Sequence, residues 1–258
     1  MIFFLIFSLL FSSVTGAPVA ADAAAGWYVC RNKEHRQPEL DPAFSYIEKY
    51  DAYYVDKKCA DDHGEKVLYL TFDAGYENGN VAKILDVLKA ERVPAAFFIL
   101  DHVILSSPEL VARMADEGHL VCNHTLRHRD MSKITDADAF RYELEALATL
   151  YKEKTGRDMA KFYRPPEGRF TEENLRMAQE LGYKTIFWSL AYADWDNNNQ
   201  PDPDAAIKKL LDNTHPGAVI LLHPTSATNA KILPELIRKW RELGYRFGTL
   251  DELTAPAE

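Results

Sequence analysis

Apolar residues in this chain come in short runs that end on polar side chains. Val67-Leu68-Tyr69-Leu70-Thr71-Phe72 closes on Asp73, and the Gly-containing loop Gly75-Tyr76-Glu77-Asn78-Gly79 follows at once. His119-Leu120-Val121-Cys122 leads into Asn123-His124, Phe162-Tyr163 into Arg164, Thr185-Ile186-Phe187-Trp188 toward Asp194, and Ala218-Val219-Ile220-Leu221-Leu222 into His223. Continuous apolar runs of this length read as strands buried on both faces. Between them the apolar positions recur at helical spacing, as in Val81, Ile84, Leu85 and Leu88. Helices are predicted over 80–91, 108–117, 136–155, 171–182, 202–213 and 229–243. Strands are predicted over 67–73, 95–100, 119–122, 161–164, 185–188, 218–222 and 245–250. The alternation of strand and helix predicts an α/β fold with parallel strands. A doubly wound open sheet and a barrel both satisfy it. Polar tips on most strands favour a distorted (β/α) barrel of about seven strands, with those tips around one mouth.

The 258-residue length suits one such domain or two small ones, and 47% hydrophobic content suits a full core. Residues 67–258 carry the α/β pattern. Residues 26–66 are polar and aromatic with little periodicity, and read as an extension packing on the barrel. Residues 1–25 open on Met1-Ile2-Phe3-Phe4-Leu5-Ile6-Phe7, the length of a signal h-region, with a small-residue stretch behind it. No Lys or Arg precedes the run, so it reads either as a cleaved signal or as an apolar anchor. Both place the protein outside the cytoplasm, in the cell wall or on the outer membrane face. The net charge of -9 argues against nucleic-acid binding. In an oxidising compartment Cys30 and Cys59 would either pair or remain free thiols, while Cys122 sits inside an apolar strand.

If the strands are parallel, their polar ends converge. Asp73 is then either a general base or an N-cap for the following helix. His124 and His128 are spaced i, i+4. On a helical turn they would face one cation, although many such pairs are plain surface or cap residues. The turn Arg164-Pro165-Pro166-Glu167-Gly168 projects Arg164, which either aligns an ionised Asp73 or makes a structural salt bridge to it. His223 can donate a proton if a carboxylate holds its other nitrogen, and Asp194 is the candidate. The alternative is a buried structural histidine. His35, His63, His102, His119 and His215 are expected at the surface.

These motifs, in this order from Val67 to Leu253, resemble the polysaccharide deacetylase family. They stand as Thr71-Phe72-Asp73-Ala74-Gly75, His124-Thr125-Leu126-Arg127-His128, Arg164-Pro165-Pro166-Glu167-Gly168, Asp194-Trp195 and Leu221-Leu222-His223. Tyr76-Glu77-Asn78-Gly79, Phe187-Trp188-Ser189 and Asn229-Ala230 are similar to the delta-lactam-biosynthetic (muramic acid) de-N-acetylases of spore formers. The resemblance implies Asp73 as base, His223 as acid tuned by Asp194, and Arg164 orienting Asp73. It also implies His124 and His128 as ligands of a divalent cation, zinc or another transition metal. Glu167 would serve through its backbone amide in an oxyanion hole. Trp195 and Tyr76 would contact the sugar. Many family members carry a second Asp where this chain has Ala74, so the metal is expected to be weakly held. The substrate implied is peptidoglycan or another N-acetylated glycan, with N-acetylmuramic acid first, and no obligate protein partner. Activity on N-acetylglucosamine of peptidoglycan or chitin oligosaccharides, and a non-catalytic glycan-binding role, are the alternatives.

Overall fold

The computed structural model describes residues 23–60 and 65–256. The apolar run and the cleavage site expected near the N-terminus fall mainly outside the described residues, as does His63. Among the described residues, nine strands form one parallel sheet. Across it the order is Ala52–Tyr53, Lys184–Ile186, Phe162–Tyr163, Leu120–Asn123, Ala96–Ile99, Val67–Ala74, Ala218–Leu222 and Leu190–Ala191. Arg246–Phe247 pairs with the first residues of Val67–Ala74. Each of the seven predicted strands has its counterpart here. Ala52–Tyr53 and Leu190–Ala191 are additional, and both are too short for a period-2 pattern to register.

Leu190–Ala191 explains the curl. The segment Lys184–Ala191 pairs with Phe162–Tyr163 at its start and with Ala218–Leu222 at its end. One stretch of chain therefore touches both flanks of the sheet, which bends it into a half-barrel. Alternation along Val67–Ala74 then separates two cores. Val67 and Tyr69 face the interior with Ala96, Phe98, Cys122, Phe162, Ile186 and Val219. Leu68, Leu70, Phe72 and Ala74 face the surrounding helices.

The helices follow their sequence signals closely. Asp136 caps Ala137–Thr155 by accepting from the Ala139 N–H at 2.8 Å, and Gly156 ends that helix at φ 71°. Thr171 and Asn174 form a reciprocal capping box on Glu172–Glu180. The last predicted strand is shorter than expected. Arg246–Phe247 gives way to a helix, Leu250–Leu253, capped by Thr249. A short helix, Asp101–Ser106, was not expected. No described helix is long and apolar enough to cross a membrane.

One further expectation needs correction. His119 and His215 are buried, not at the surface. Each lies just before a core strand, and burial pulls both imidazoles below their ordinary pKa, His215 to about 4. Of the two states left open for Cys30 and Cys59, the free thiols are found, and all three cysteines are unpaired. Cys59 is buried in the interior cluster, where burial pushes its thiol to about 11, whereas Cys30 is exposed.

Candidate active site

The C-terminal ends of the strands open on a cleft of about 940 Å³. Asp73, Tyr76, His124, His128, Glu167, Trp195 and His223 all line it. Arg164 and Asp194 lie behind this lining, fully buried or nearly so, each holding one cleft residue.

Arg164 crosses the barrel interior. Its Nη1 donates to Asp73 Oδ1 at 2.7 Å, Nη2 to Thr71 Oγ1 at 2.9 Å, and Nε to the Ile186 carbonyl at 2.9 Å. The guanidinium lies 4.2 Å over the Phe98 ring. A cation that cannot lose its proton is tolerated in a core only when paired and hydrogen-bonded in this way. Burial raises the carboxyl pKa of Asp73. The Arg164 charge, helped by that of His223, more than offsets this, so Asp73 is held below its usual value and stays ionised.

The second pair is built on Asp194. His223 Nδ1 lies 2.7 Å from Asp194 Oδ1, the His223 backbone N–H donates to Oδ2 at 2.8 Å, and Asn229 Nδ2 donates to Oδ2 at 2.6 Å. Tyr192 in turn donates to Asn229. Burial pulls the His223 imidazole down. The bond and charge of Asp194, with the charge of Asp73, outweigh it and leave the pKa raised. Nδ1 is occupied by Asp194, so Nε2 is the nitrogen left to exchange a proton.

His124 and His128 do come together, with ring centroids 5.0 Å apart, but no helix spaces them. Thr125 and His128 sit at φ 73° and 52°, left-handed conformations that non-glycine residues adopt rarely. Asn123 Oδ1 accepts from the Thr125 N–H at 2.9 Å, and Thr125 Oγ1 accepts from the His128 N–H at 3.0 Å. The loop is thus folded by side chains, and the i, i+4 spacing is met by a turn. Strained residues of this kind concentrate at functional sites.

The donor set fits a cation. His124 Nδ1 is 2.9 Å from the Arg164 carbonyl, which can only accept, so the proton sits there and Nε2 carries the lone pair. Burial takes this imidazole down to about 4, keeping it neutral. Its Nε2 faces Asp73 Oδ2 at 3.5 Å, one acceptor against another. A shared divalent ion resolves that opposition. Among the described residues no cluster of three His, Cys, Asp or Glu side chains stands at ligand spacing. Ala74 offers no donor and is buried on the helix-facing side of its strand, outside the cleft.

Glu167 takes φ 56° in the Pro165–Gly168 turn, and its side chain bonds Arg169 Nε at 3.0 Å. Trp195 is 62% exposed and Tyr76 42%, and Asn197 Nδ2 donates to the Tyr76 hydroxyl. Several cleft or support residues were given no role by the sequence reading. Asn229 holds Asp194, Tyr192 braces Asn229, and Asn123 shapes the histidine loop. Trp27, Tyr28 and Arg31 form a wall from the N-terminal segment. Asn123 had a local signal, a polar residue ending an apolar strand, and Asn229 stood in a motif of the resembled subgroup.

Comparison with known proteins gives the family of the chain. The polysaccharide deacetylase family model matches residues 60–186. The peptidoglycan-N-acetylmuramic acid deacetylase PdaA of Bacillus subtilis is 39% identical over 95% of this chain and 91% of its own. The chain belongs to the polysaccharide deacetylase family. A solved structure of Bacillus subtilis PdaA, described as a family 4 carbohydrate esterase, superposes with a TM-score of 0.83 over 89% of this chain and 96% of that one. A peptidoglycan-N-acetylglucosamine deacetylase of Bacillus cereus is 33% identical over 81% of this chain and 74% of its own. Within the family, then, relatives act on either amino sugar of peptidoglycan.

Proposed function

We propose that the protein hydrolyses the N-acetyl group of a peptidoglycan amino sugar, N-acetylmuramic acid first, with Asp73 as general base and His223 as general acid. The observation carrying this reading is one cleft with two oppositely tuned groups: a carboxylate whose ionised form Arg164 favours, and an imidazole whose protonated form Asp194 favours. Such a divergence assigns base and acid. The Asp73 carboxylate accepts the proton of a water as its oxygen bonds to the acetamide carbon. The left-handed turn at Glu167 offers its backbone N–H to the developing oxyanion. His223 Nε2 then delivers its proton to the departing nitrogen as the C–N bond breaks, releasing acetate and a free amine. His124 and His128 are the residues that would hold a divalent cation, zinc or another transition metal. Bound there, it supplies Lewis-acid polarisation of the carbonyl. Trp195 and Tyr76 supply faces for the sugar rings. Peptidoglycan lies outside the cytoplasmic membrane, so this function requires export, with the apolar N-terminal run as its signal or anchor. The test is acetate release from N-acetylmuramic acid in purified glycan strands, followed by mass spectrometry of the digested product. A product with every acetyl group retained refutes the proposal.

A further inference from the structure

We infer that Arg31 and Lys209 form a carboxylate-recognising wall of the cleft, which selects a sugar bearing an acidic substituent. The inference rests on the deacetylase reading and adds a specificity device to it.

Two carboxylates line the cleft, and each is already neutralised. Asp73 is bound to Arg164 at 2.7 Å, and Glu167 to Arg169 at 3.0 Å. Two cations also line it, Arg31 and Lys209. Among the described residues neither has a carboxylate within ion-pair distance. Lys208, next in the chain, is bound to Asp212 at 2.6 Å, so that helix end does pair its lysine where it serves only the surface. In a chain of net charge -9, two uncompensated cations in one concavity make a local positive field.

Arg31 is also anchored. Its Nη1 donates to the Ala191 carbonyl at 3.0 Å, and Ala191 leads directly into Tyr192-Ala193-Asp194-Trp195. The guanidinium is therefore fixed to the segment that carries the partner of His223 and the exposed indole. A guanidinium has five N–H donors, and the Ala191 carbonyl takes one. The remaining fork suits a carboxylate, which it can bind with two parallel bonds. A neutral N-acetylglucosamine oligomer has no group for it. The muramoyl sugar differs from glucosamine by an ether-linked lactyl acid, one carboxylate on the same ring as the N-acetyl group. That acid is the substituent we assign to Arg31 and Lys209.

The experiment compares three substrates: an N-acetylmuramoyl glycan with free lactyl acid, its lactyl N-methylamide, and a chitooligosaccharide. Wild type, Arg31→Gln, Arg31→Lys and the double variant Arg31→Gln/Lys209→Gln are assayed for acetate release, with melting curves to confirm folding. The expected result is a wild-type preference for the acid over the amide. In the double variant the ratio of kcat/KM for acid over amide falls by about 10–100-fold, the worth of one or two charge-assisted hydrogen bonds. The loss resides in KM, and Arg31→Lys retains part of the preference. An unchanged ratio in the folded double variant overturns the inference. So does a wild type that treats acid and amide alike, and in that case muramic acid deacetylation itself still stands. A wild type that acts only on the chitooligosaccharide overturns both.

Discussion

Replacing Asp194 by Asn tests the acid assignment most sharply. The three contacts to this carboxylate all come from donors: His223 Nδ1–H, the His223 backbone N–H and Asn229 Nδ2–H. An Asn amide is the same size but exchanges one acceptor oxygen for an NH2 group. In either flip of the amide, a donor now meets a donor. If the NH2 faces His223, Nδ1 must give up its proton, and the ring becomes a neutral Nε2–H imidazole. If the NH2 faces the other side, it opposes both the His223 backbone N–H and Asn229. A buried charge-assisted hydrogen bond is worth about 1.5–3 kcal/mol, which corresponds to roughly 10–150-fold in rate if felt in the transition state. We expect kcat/KM at pH 7 to fall by about 10²-fold, within the range for losing an effective general acid. The sign of the pH effect follows from the environment. His223 must be protonated to act, and Asp194 opposes the burial that would strip its proton. Without Asp194 the proton is lost at lower pH, so the alkaline limb of the profile moves to lower pH while the acid limb, set by Asp73, stays. The assay is acetate release across pH 5–10, with a thermal melt alongside. An alkaline limb that does not move, with activity within about threefold of wild type, refutes the role given to His223.

Asp73→Asn should fold and lose about 10²–10⁴-fold in kcat, because an amide cannot take the proton of water; acetate release within about threefold of wild type rules out the base assignment. Removing metal with a chelator should abolish turnover, with recovery on adding zinc or another divalent ion, and His128→Ala should lower the measured metal content. Full activity in verified metal-free protein contradicts the cation reading. Gly168→Ala should destabilise the fold by about 1–3 kcal/mol. Its φ is 65°, and a Cβ there would lie 2.8 Å from the Trp188 ring and 2.9 Å from the Trp27 Cβ, so an unchanged melting temperature would contradict that packing. Exported protein should begin between Ala20 and Gly26 by N-terminal sequencing, whereas an intact Met1 in the membrane fraction marks an anchor.

Much of the fold was legible because buried parallel strands need unbroken apolar runs, and their helices need caps that only a few residue types provide. The seven main strands and the six long helices announced themselves in that way. So did the residues at the strand tips, since a charged or imidazole side chain closing an apolar run has few structural reasons to be there. Two-residue strands leave no periodic trace. Ala52–Tyr53 and Leu190–Ala191 exist only because neighbouring strands offer them open hydrogen-bonding edges. The left-handed turn that joins His124 to His128 depends on Asn123 and Thr125 side chains, and spacing alone reads it as a helix. The meeting of Arg164 with Asp73 was expected from converging strand tips. Other pairings were decided by tertiary structure alone: Asn229 meets Asp194, and Arg31 reaches the cleft from an aperiodic segment. Local sequence encodes which backbone conformation each stretch prefers. Which side chains share a desolvated cavity, and therefore which pKa values shift, depends on contacts made only when the sheet curls.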